Sequence, residues 1–257
     1  MDEIFPNGCA GAVSLTYDDG IDAHLDHAMP ALEEAGLRGT FYVPTHTENC
    51  WARRTTEWRL ASQRGHEIAN HTQRHPCSRS FPWVARGQAL EDYDLARVER
   101  ELRDASEEIG AVTGRHLISF AYTCCQDFVG ENHESYRPLA QRLFPVCRGG
   151  REYGREPPIL ADPLNCDFSF VPAWMLWGRI KAEEIVAFID SAIALRRWAV
   201  LMFHGVGGGH AINVTRQTHQ VVCQHIAAVR DRLWCDTFLN VGTHLRHISG
   251  QLWTGNS

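Results

Sequence analysis

Short apolar segments alternate with helical segments along almost the whole chain, and this alternation limits the possible folds more than any other feature. It is typical of a parallel sheet covered by helices. No low-complexity linker or internal repeat interrupts it, so we predict a single α/β domain over residues 1–257, with its core at about 12–242. The predicted strands are 12–19, 39–45, 66–72, 117–123, 145–147, 168–176 and 199–206, with a strand or helix start at 236–241, and the predicted helices are 24–36, 59–64, 90–114, 136–143, 183–197 and 216–233.

The composition excludes several classes of function. The 257 residues carry a net charge of −6 and contain no basic run, so we do not expect a nucleic-acid partner. No apolar stretch approaches the roughly 18 residues that span a membrane, so we expect no membrane span. The first residues, MDEIFPNGCAG, lack a basic region before an apolar core. Unless a leader has been removed, this predicts a cytoplasmic protein without a signal peptide.

The nine cysteines are an odd number, and no two of them form a C-x-x-C pair. In a protein without an export signal, this pattern predicts mostly reduced thiols. Cys124 and Cys125 are neighbours, but the sequence indicates no histidine paired with either of them. Buried free thiols are therefore a simpler interpretation than a thiol nucleophile.

Polar residues stand where the predicted strands end. Asp18 and Asp19 close the first strand, His71 and His75 follow the third, and His204 closes a later one. In parallel α/β folds these strand ends line the site. One carboxylate and two imidazoles are the ligands of an open catalytic zinc site, and the second carboxylate could then be a general base. An Asp-Gly turn and a chance pair among fourteen histidines would give the same pattern, so spacing alone leaves both interpretations open.

Three segments carrying these residues, TYDDG (16–20), HTQRH (71–75) and LMFHG (201–205), resemble the motifs of the polysaccharide deacetylases, carbohydrate esterase family 4 with the NodB-homology domain. The resemblance implies a distorted (β/α) barrel of seven or eight parallel strands. It also implies a metal-dependent hydrolase that removes an N-acetyl or other acyl group from a sugar or oligosaccharide. The cofactor would be one divalent ion, with zinc favoured over manganese, cobalt or nickel. By resemblance, Asp18 is the general base, Asp19, His71 and His75 bind the metal, and His204 is the general acid.

The sequence departs from the family at the third motif. An arginine there usually holds the catalytic aspartate, but the equivalent segment FAYTCC (120–125) has Ala121 at that place. Arg148 follows the next short strand, and we predict that it supplies the missing cation. Arg151 is the rival candidate, and an ordinary loop arginine remains the alternative for either of them.

The remaining candidates concern substrate binding. The resemblance implies that the backbone N–H of Cys124 serves the oxyanion hole, and Tyr122 belongs to the same candidate group. Trp174 could form a wall of the sugar cleft or pack in the core. His210 follows a glycine-rich run after His204 and could join the site or lie on a mobile loop.

Two other functions stay open. One is hydrolysis of a different small-molecule amide or of an O-acetyl ester; relatives that open cyclic ureides without metal lack the ligand triad, which is complete here. The other is a carbohydrate-binding protein of weakened catalysis, suggested by the missing arginine. Because no export signal is visible, we expect a small oligosaccharide or biosynthetic intermediate rather than a cell-wall polymer. The sequence does not specify the acyl group, the metal or the oligomeric state.

Overall fold

The computed structural model describes residues 3–46, 50–150 and 158–255. No helix in these ranges is both long and apolar enough to cross a membrane. The α-helices are α1 Met29–Glu34, α2 Cys50–Arg53, α3 Thr55–Gln63, α4 Leu95–Thr113, α5 Arg137–Leu143, α6 Ala182–Leu195, α7 Arg216–Ala228 and α8 Phe238–Ile248. The strands are β1 Gly11–Tyr17, β2 Thr40–Val43, β3 Glu67–Asn70, β4 Phe120–Ala121, β5 Phe128–Val129, β6 Glu134–Ser135, β7 Cys147–Arg148, β8 Trp174–Met175, β9 Trp198–Phe203, β10 Gly205–Val206, β11 Asn213–Val214 and β12 Leu233–Cys235.

Eight of these strands form one curled sheet in the order β7-β4-β3-β2-β1-β9-β8, with β12 beside the start of β1. Neighbouring strands in this sheet run parallel. Residues 168–175 bring its two ends together. The backbone of Cys147 exchanges 2.9 Å hydrogen bonds with Phe168 and Val171, while Trp174 pairs with Leu201 of β9. The prediction of a single α/β domain built as a distorted barrel of seven or eight parallel strands is confirmed.

The strands bury a different set of side chains on each face of the sheet. On β9, for example, alternate residues belong to two separate apolar clusters, as the period of two in a strand requires. The outer cluster packs against α4, α6 and α7 and includes Val13, Leu15, Tyr17, Ala199, Leu201 and Phe203. The inner cluster packs against α8 and includes Ala12, Tyr42, Ala69, Ala121, Val200 and Met202.

The helix α4 shows how local sequence sets an element's ends. The carboxylate of Asp94 accepts a 2.7 Å hydrogen bond from the Arg97 N–H and so caps the first turn. Gly114 ends the helix in the left-handed region at φ 70°, where a side chain would be strained. Between these ends, Val98, Leu102, Ala105 and Ile109 are buried along one face of the helix.

Several element boundaries differ from the sequence prediction, and two of these differences have a clear physical reason. The helix predicted over 216–233 ends at Ala228, because Leu233–Cys235 pairs with Gly11–Val13 as strand β12. The strand predicted over 168–176 is regular only at Trp174–Met175, since Pro172 has no N–H for a ladder. The segment 236–241, predicted as a strand or a helix start, begins helix α8.

The expectation of mostly reduced cysteines needs one correction. Cys77 and Cys124 form a disulfide across 47 residues of sequence, whereas the other seven cysteines are free. Cys124 is therefore not a free thiol, although Cys125 beside it is.

We expect acid to destabilise the fold through His219. This side chain is buried on α7, 2.7 Å from the Tyr17 hydroxyl, and burial lowers its pKa to about 3. An unfolded histidine titrates near 6.5, so the stabilising contribution of the neutral ring is present above that pH and is lost as the pH falls toward 3. Between pH 7 and pH 4 the loss should be on the order of 3 kcal/mol.

Urea unfolding of His219→Gln at both pH values tests this. The glutamine amide can still pair with Tyr17 but does not titrate, so the variant should lose less stability than the wild type between pH 7 and pH 4. His247→Gln, at an exposed position of α8, is the matched control and should lose as much as the wild type. Equal losses in all three proteins would contradict the assignment to His219.

Candidate functional site

Four of the predicted site residues meet at the carboxyl ends of neighbouring strands. Asp18, His71, Arg148 and His204 stand at the inward positions in the alternation of β1, β3, β7 and β9, or directly continue it past the strand end. Because these strands are parallel and adjacent or nearly so, their ends converge on one side of the sheet. The sheet therefore gathers one carboxylate, one guanidinium and two imidazoles at its inner rim.

The second aspartate joins them through an unusual backbone. Asp19 would point outward by simple alternation, but it has φ 81°, in the left-handed region that few non-glycine residues occupy. Thr72 and His75 share this conformation at φ 63° and 54°. Each such residue costs about 1–3 kcal/mol, and such strain collects at functional sites. Two neighbouring aspartates can thus face one site, which an undistorted strand end would forbid.

Asp19, His71 and His75 form a compact donor set. The Asp19 Oδ1 atom lies 3.2 Å from His75 Nε2 and 3.6 Å from His71 Nε2, and the three donor atoms lie within 4.8 Å of one another. His71 Nδ1 lies 2.9 Å from the Ala121 carbonyl, to which it can only donate, so the neutral ring turns an Nε2 lone pair toward the aspartate. Two imidazoles and one carboxylate with an open side fit a divalent transition metal such as zinc.

The charges of this cluster support one another. Burial alone would raise the pKa of Asp19, but the neighbouring His71 and His75 side chains hold that pKa well below its usual value. Burial likewise would lower the pKa of His75, yet the Asp19 carboxylate raises it above the usual value. The aspartate is therefore ionised and available as a ligand at neutral pH.

Arg148 supplies a cation to Asp18. Its Nη2 group donates a hydrogen bond to Asp18 Oδ2, and its side chain is fully buried. In the register of β4 and β7, Arg148 is paired with Ala121, the position where the resemblance calls for an arginine. The small side chain of Ala121 lies on the same inner face. The guanidinium thus reaches the aspartate from the adjacent strand, whereas Arg151, its rival, lies outside the described residues.

The other oxygen of Asp18 is free for a reactant. Asp18 is 4% exposed, and within the described residues its Oδ1 atom has no hydrogen-bond partner. Burial would lower the pKa of Arg148, but the negative charge of Asp18 raises it. Asp18 therefore has one oxygen held by Arg148 and one open.

His204 closes the site from β9. Its backbone carbonyl accepts a 2.8 Å hydrogen bond from His24 Nε2, and its ring stacks on that of His210 with centroids 5.0 Å apart. Burial lowers the pKa of His204, against the opposing charges of Asp19 and Asp18. His24 was not predicted from the sequence, because a lone histidine inside a helical pattern carries no signal.

Two of the three predicted substrate residues, Tyr122 and Trp174, pack against other aromatic side chains. The Tyr122 side chain is fully buried among Phe120, Tyr136 and Phe170, so it is a core residue rather than a cleft residue. The Trp174 ring packs edge to face on Phe188 of α6, which favours its core interpretation.

Cys124 keeps the backbone position but not the free thiol. It has φ 50°, and the hydrogen bonds of its turn are donated by the N–H groups of Cys125 and Gln126, so its own N–H takes no part in them. Its disulfide partner Cys77 lies 3.6 Å from His75 Nδ1 through Sγ. This pairing could not be predicted, because the two cysteines have no motif spacing and are brought together only by the fold.

Comparison with known proteins agrees with the sequence motifs. The family model for polysaccharide deacetylases matches residues 6–126. A candidate polysaccharide deacetylase structure from Mycobacterium smegmatis aligns with 98% of this chain and 95% of its own at 17% identity and a TM-score of 0.62. The peptidoglycan N-acetylglucosamine deacetylase Bc1960 aligns with 92% of this chain and 89% of its own at 15% identity and a TM-score of 0.57.

Similar folds do not all carry activity. A family 4 carbohydrate esterase pseudoenzyme from Bacillus anthracis also aligns, at 12% identity and a TM-score of 0.53, with 90% of this chain and 65% of its own. At such identities these structures establish the fold alone. No curated protein sequence matches the chain.

Proposed function

We propose that the chain, whose residues 6–126 match the polysaccharide deacetylase family model, hydrolyses the N-acetyl group of an amino sugar or small oligosaccharide in a metal-dependent reaction. The main support for this proposal is that a candidate base and a candidate metal-binding set lie side by side. A buried Asp18–Arg148 pair with one open oxygen lies beside an Asp19–His71–His75 donor set. The pair and the donor set are neighbours, since His71 Nε2 lies 3.9 Å from Asp18 Oδ2.

Each residue then has one task. Asp18, held by Arg148 through Oδ2, removes a proton from the attacking water with Oδ1. The Cys124 N–H would donate to the oxygen of the amide as charge develops there. His204 delivers a proton to the leaving nitrogen, so that the amine and acetate separate. A divalent ion held by Asp19, His71 and His75 would polarise the amide carbonyl and lower the pKa of a bound water toward about 7.

The donor set supports zinc as the ion. Imidazole and carboxylate ligands with an open position suit zinc, although the same ligands also take cobalt, nickel and manganese. A different amide or an O-acetyl ester would use the same machinery. A binding protein of weakened catalysis is less well supported, because the cation missing from the third motif has a replacement in Arg148.

Acetate release tests the proposal. Purified protein, stripped with a chelator and reloaded with one equivalent of zinc, should release acetate from at least one member of a panel of N-acetylated mono- and oligosaccharides. O-acetylated xylan and a cyclic ureide in the same panel distinguish the alternative substrates. Failure to hydrolyse any N-acetylated sugar, with zinc bound, would refute the proposed deacetylase activity.

We expect Arg148→Lys to lower kcat nearly as much as Arg148→Ala does. The guanidinium is planar and fully buried against a carboxylate, a geometry that a lysine ammonium does not reproduce. Arg148→Lys should lower kcat about tenfold or more, and Arg148→Ala by one to a few powers of ten. The zinc content should not change in either variant.

Removing one partner of a buried ion pair also costs about 3–5 kcal/mol of stability. Circular dichroism and urea unfolding at the assay temperature therefore accompany the kinetics. Ala121→Arg combined with Arg148→Ala places the guanidinium on the neighbouring strand and should recover part of the rate. Wild-type kinetics in folded Arg148→Ala would exclude a role for this residue.

A further inference from the structure

His210 stands at the open side of the site on a loop whose shape is fixed by glycine. Gly207, Gly208 and Gly209 have φ of 71°, 116° and 83°, in the region that only glycine adopts readily. A Cβ atom on Gly207 would lie 2.5 Å from the Arg216 side chain. The loop is also tied at its base, because the Gly205 and Gly207 N–H groups donate to the carbonyls of Ile212 and Val214 at 2.9 and 2.8 Å. The loop is therefore held in a defined path.

The orientation of the His210 ring follows from its backbone contacts. The Ile212 N–H donates to His210 Nδ1 at 3.0 Å, a closer contact than the 3.3 Å from Nδ1 to the Ile212 carbonyl. An imidazole nitrogen that accepts a hydrogen bond carries no proton, so in the neutral ring the proton is on Nε2. The ring lies flat on His204, with 21° between their planes. Nε2 is thereby a donor at a fixed place.

Among residues 3–46, 50–150 and 158–255, this donor has no acceptor at hydrogen-bond distance. Its nearest charged neighbour is Asp19 Oδ2 at 3.7 Å, beyond a hydrogen bond, and the His210 side chain is 34% exposed. An oxygen about 2.8 Å from both atoms would complete the pair, and a hydroxyl suits it because a hydroxyl both donates and accepts. The other oxygen of Asp19 faces His71 and His75, so the two sides of this carboxylate have different neighbours.

We propose that His210 is a substrate-binding residue whose Nε2–H donates to a hydroxyl oxygen of the bound sugar beside Asp19. This inference rests on the proposed function for its choice of ligand, a hydroxyl-bearing amino sugar. In this inference His210 contacts the substrate. Its stacking on His204 also holds the ring of that general acid in place. An acetylated amine without hydroxyls would gain nothing from it.

Binding measured without turnover tests the inference separately from catalysis. In zinc-loaded Asp18→Asn protein, calorimetry should detect binding of N,N′-diacetylchitobiose. Adding His210→Phe, which keeps a flat ring but has no N–H, should raise Kd about three- to tenfold, the effect of one lost uncharged hydrogen bond. His210→Gln, which keeps an amide donor, should recover part of this affinity. His247→Phe, at an exposed position of α8, should not change it.

The outcomes separate the two proposals. The inference would be overturned if Asp18→Asn protein with and without His210→Phe bound the disaccharide with equal Kd. It would also be overturned if neither protein bound the disaccharide. Loss of zinc in His210→Phe would overturn it as well, because the residue would then act on the metal ligand Asp19. Binding that depends on His210 in a protein whose wild type releases no acetate would support the inference and contradict the proposed catalytic function.

Discussion

Replacing Asp18 with asparagine should lower kcat by about 10²–10⁴-fold and leave one equivalent of zinc in the protein. Removal of a general base typically costs this much, and Asp18 is the carboxylate that Arg148 holds rather than a member of the closest donor set. Asparagine has nearly the same shape and still offers an oxygen to the guanidinium. The measurement is steady-state kinetics on the sugar hydrolysed fastest by the wild type, with zinc determined by elemental analysis.

Asp19→Asn is the matched control for this substitution, since it makes the same chemical change one residue away. It should weaken zinc binding, because a neutral amide is a poorer ligand than an ionised carboxylate. If Asp18→Asn loses the metal and Asp19→Asn keeps it, the two assignments are reversed. If both variants keep zinc and full activity, neither aspartate has the proposed role.

Removing either histidine of the donor set should abolish metal binding and activity together. His71→Ala and His75→Ala each leave two protein donors from a set of three, and zinc sites of catalytic enzymes use three. We expect kcat to fall by at least 10³-fold, to the level of the chelated wild type, with less than one tenth of an equivalent of zinc after dialysis. Removing zinc from the wild type should give the same loss, reversed on reloading.

His204→Ala is the matched control, because it removes an imidazole from the same rim without removing a proposed ligand. It should lower kcat while zinc remains bound. A full equivalent of zinc retained by both His71→Ala and His75→Ala would rule out this ligand set. The disulfide between Cys77 and Cys124 lies next to His75, so these measurements are made without added thiol.

The sequence predicted those parts of the site whose chemistry requires a residue type at a strand end. Asp18, Asp19, His71, His75 and His204 were candidates because apolar segments mark where parallel strands stop, and their predicted roles came from the resemblance of the three motifs. The roles of Tyr122 and Trp174 could not be predicted in this way, since an aromatic residue in an apolar segment looks the same in a core as in a cleft. The structure puts both in packed surroundings.

Long-range pairing was the main limit of the sequence. Leu233–Cys235 continues a helical pattern locally, but hydrogen bonding to Gly11–Val13 outweighs that propensity. The Cys77–Cys124 bond likewise depends on two loops that meet only in the folded chain. A sequence pattern describes neighbours along the chain, and these contacts join residues far apart in it.

The register of Ala121 with Arg148 bears on how active and inactive relatives are told apart. A comparison that reads one alignment column at a time would count Ala121 as a lost catalytic arginine and class this chain with proteins that have decayed. The guanidinium nevertheless contacts Asp18, because two side chains in register on adjacent strands can serve the same point in space. Two alignment columns whose residues pair across adjacent strands are better scored together, and an arginine in either column should then be accepted. Such a paired test would separate true losses from relocations, and it would identify other chains in which a small residue in one column accompanies an arginine in the other.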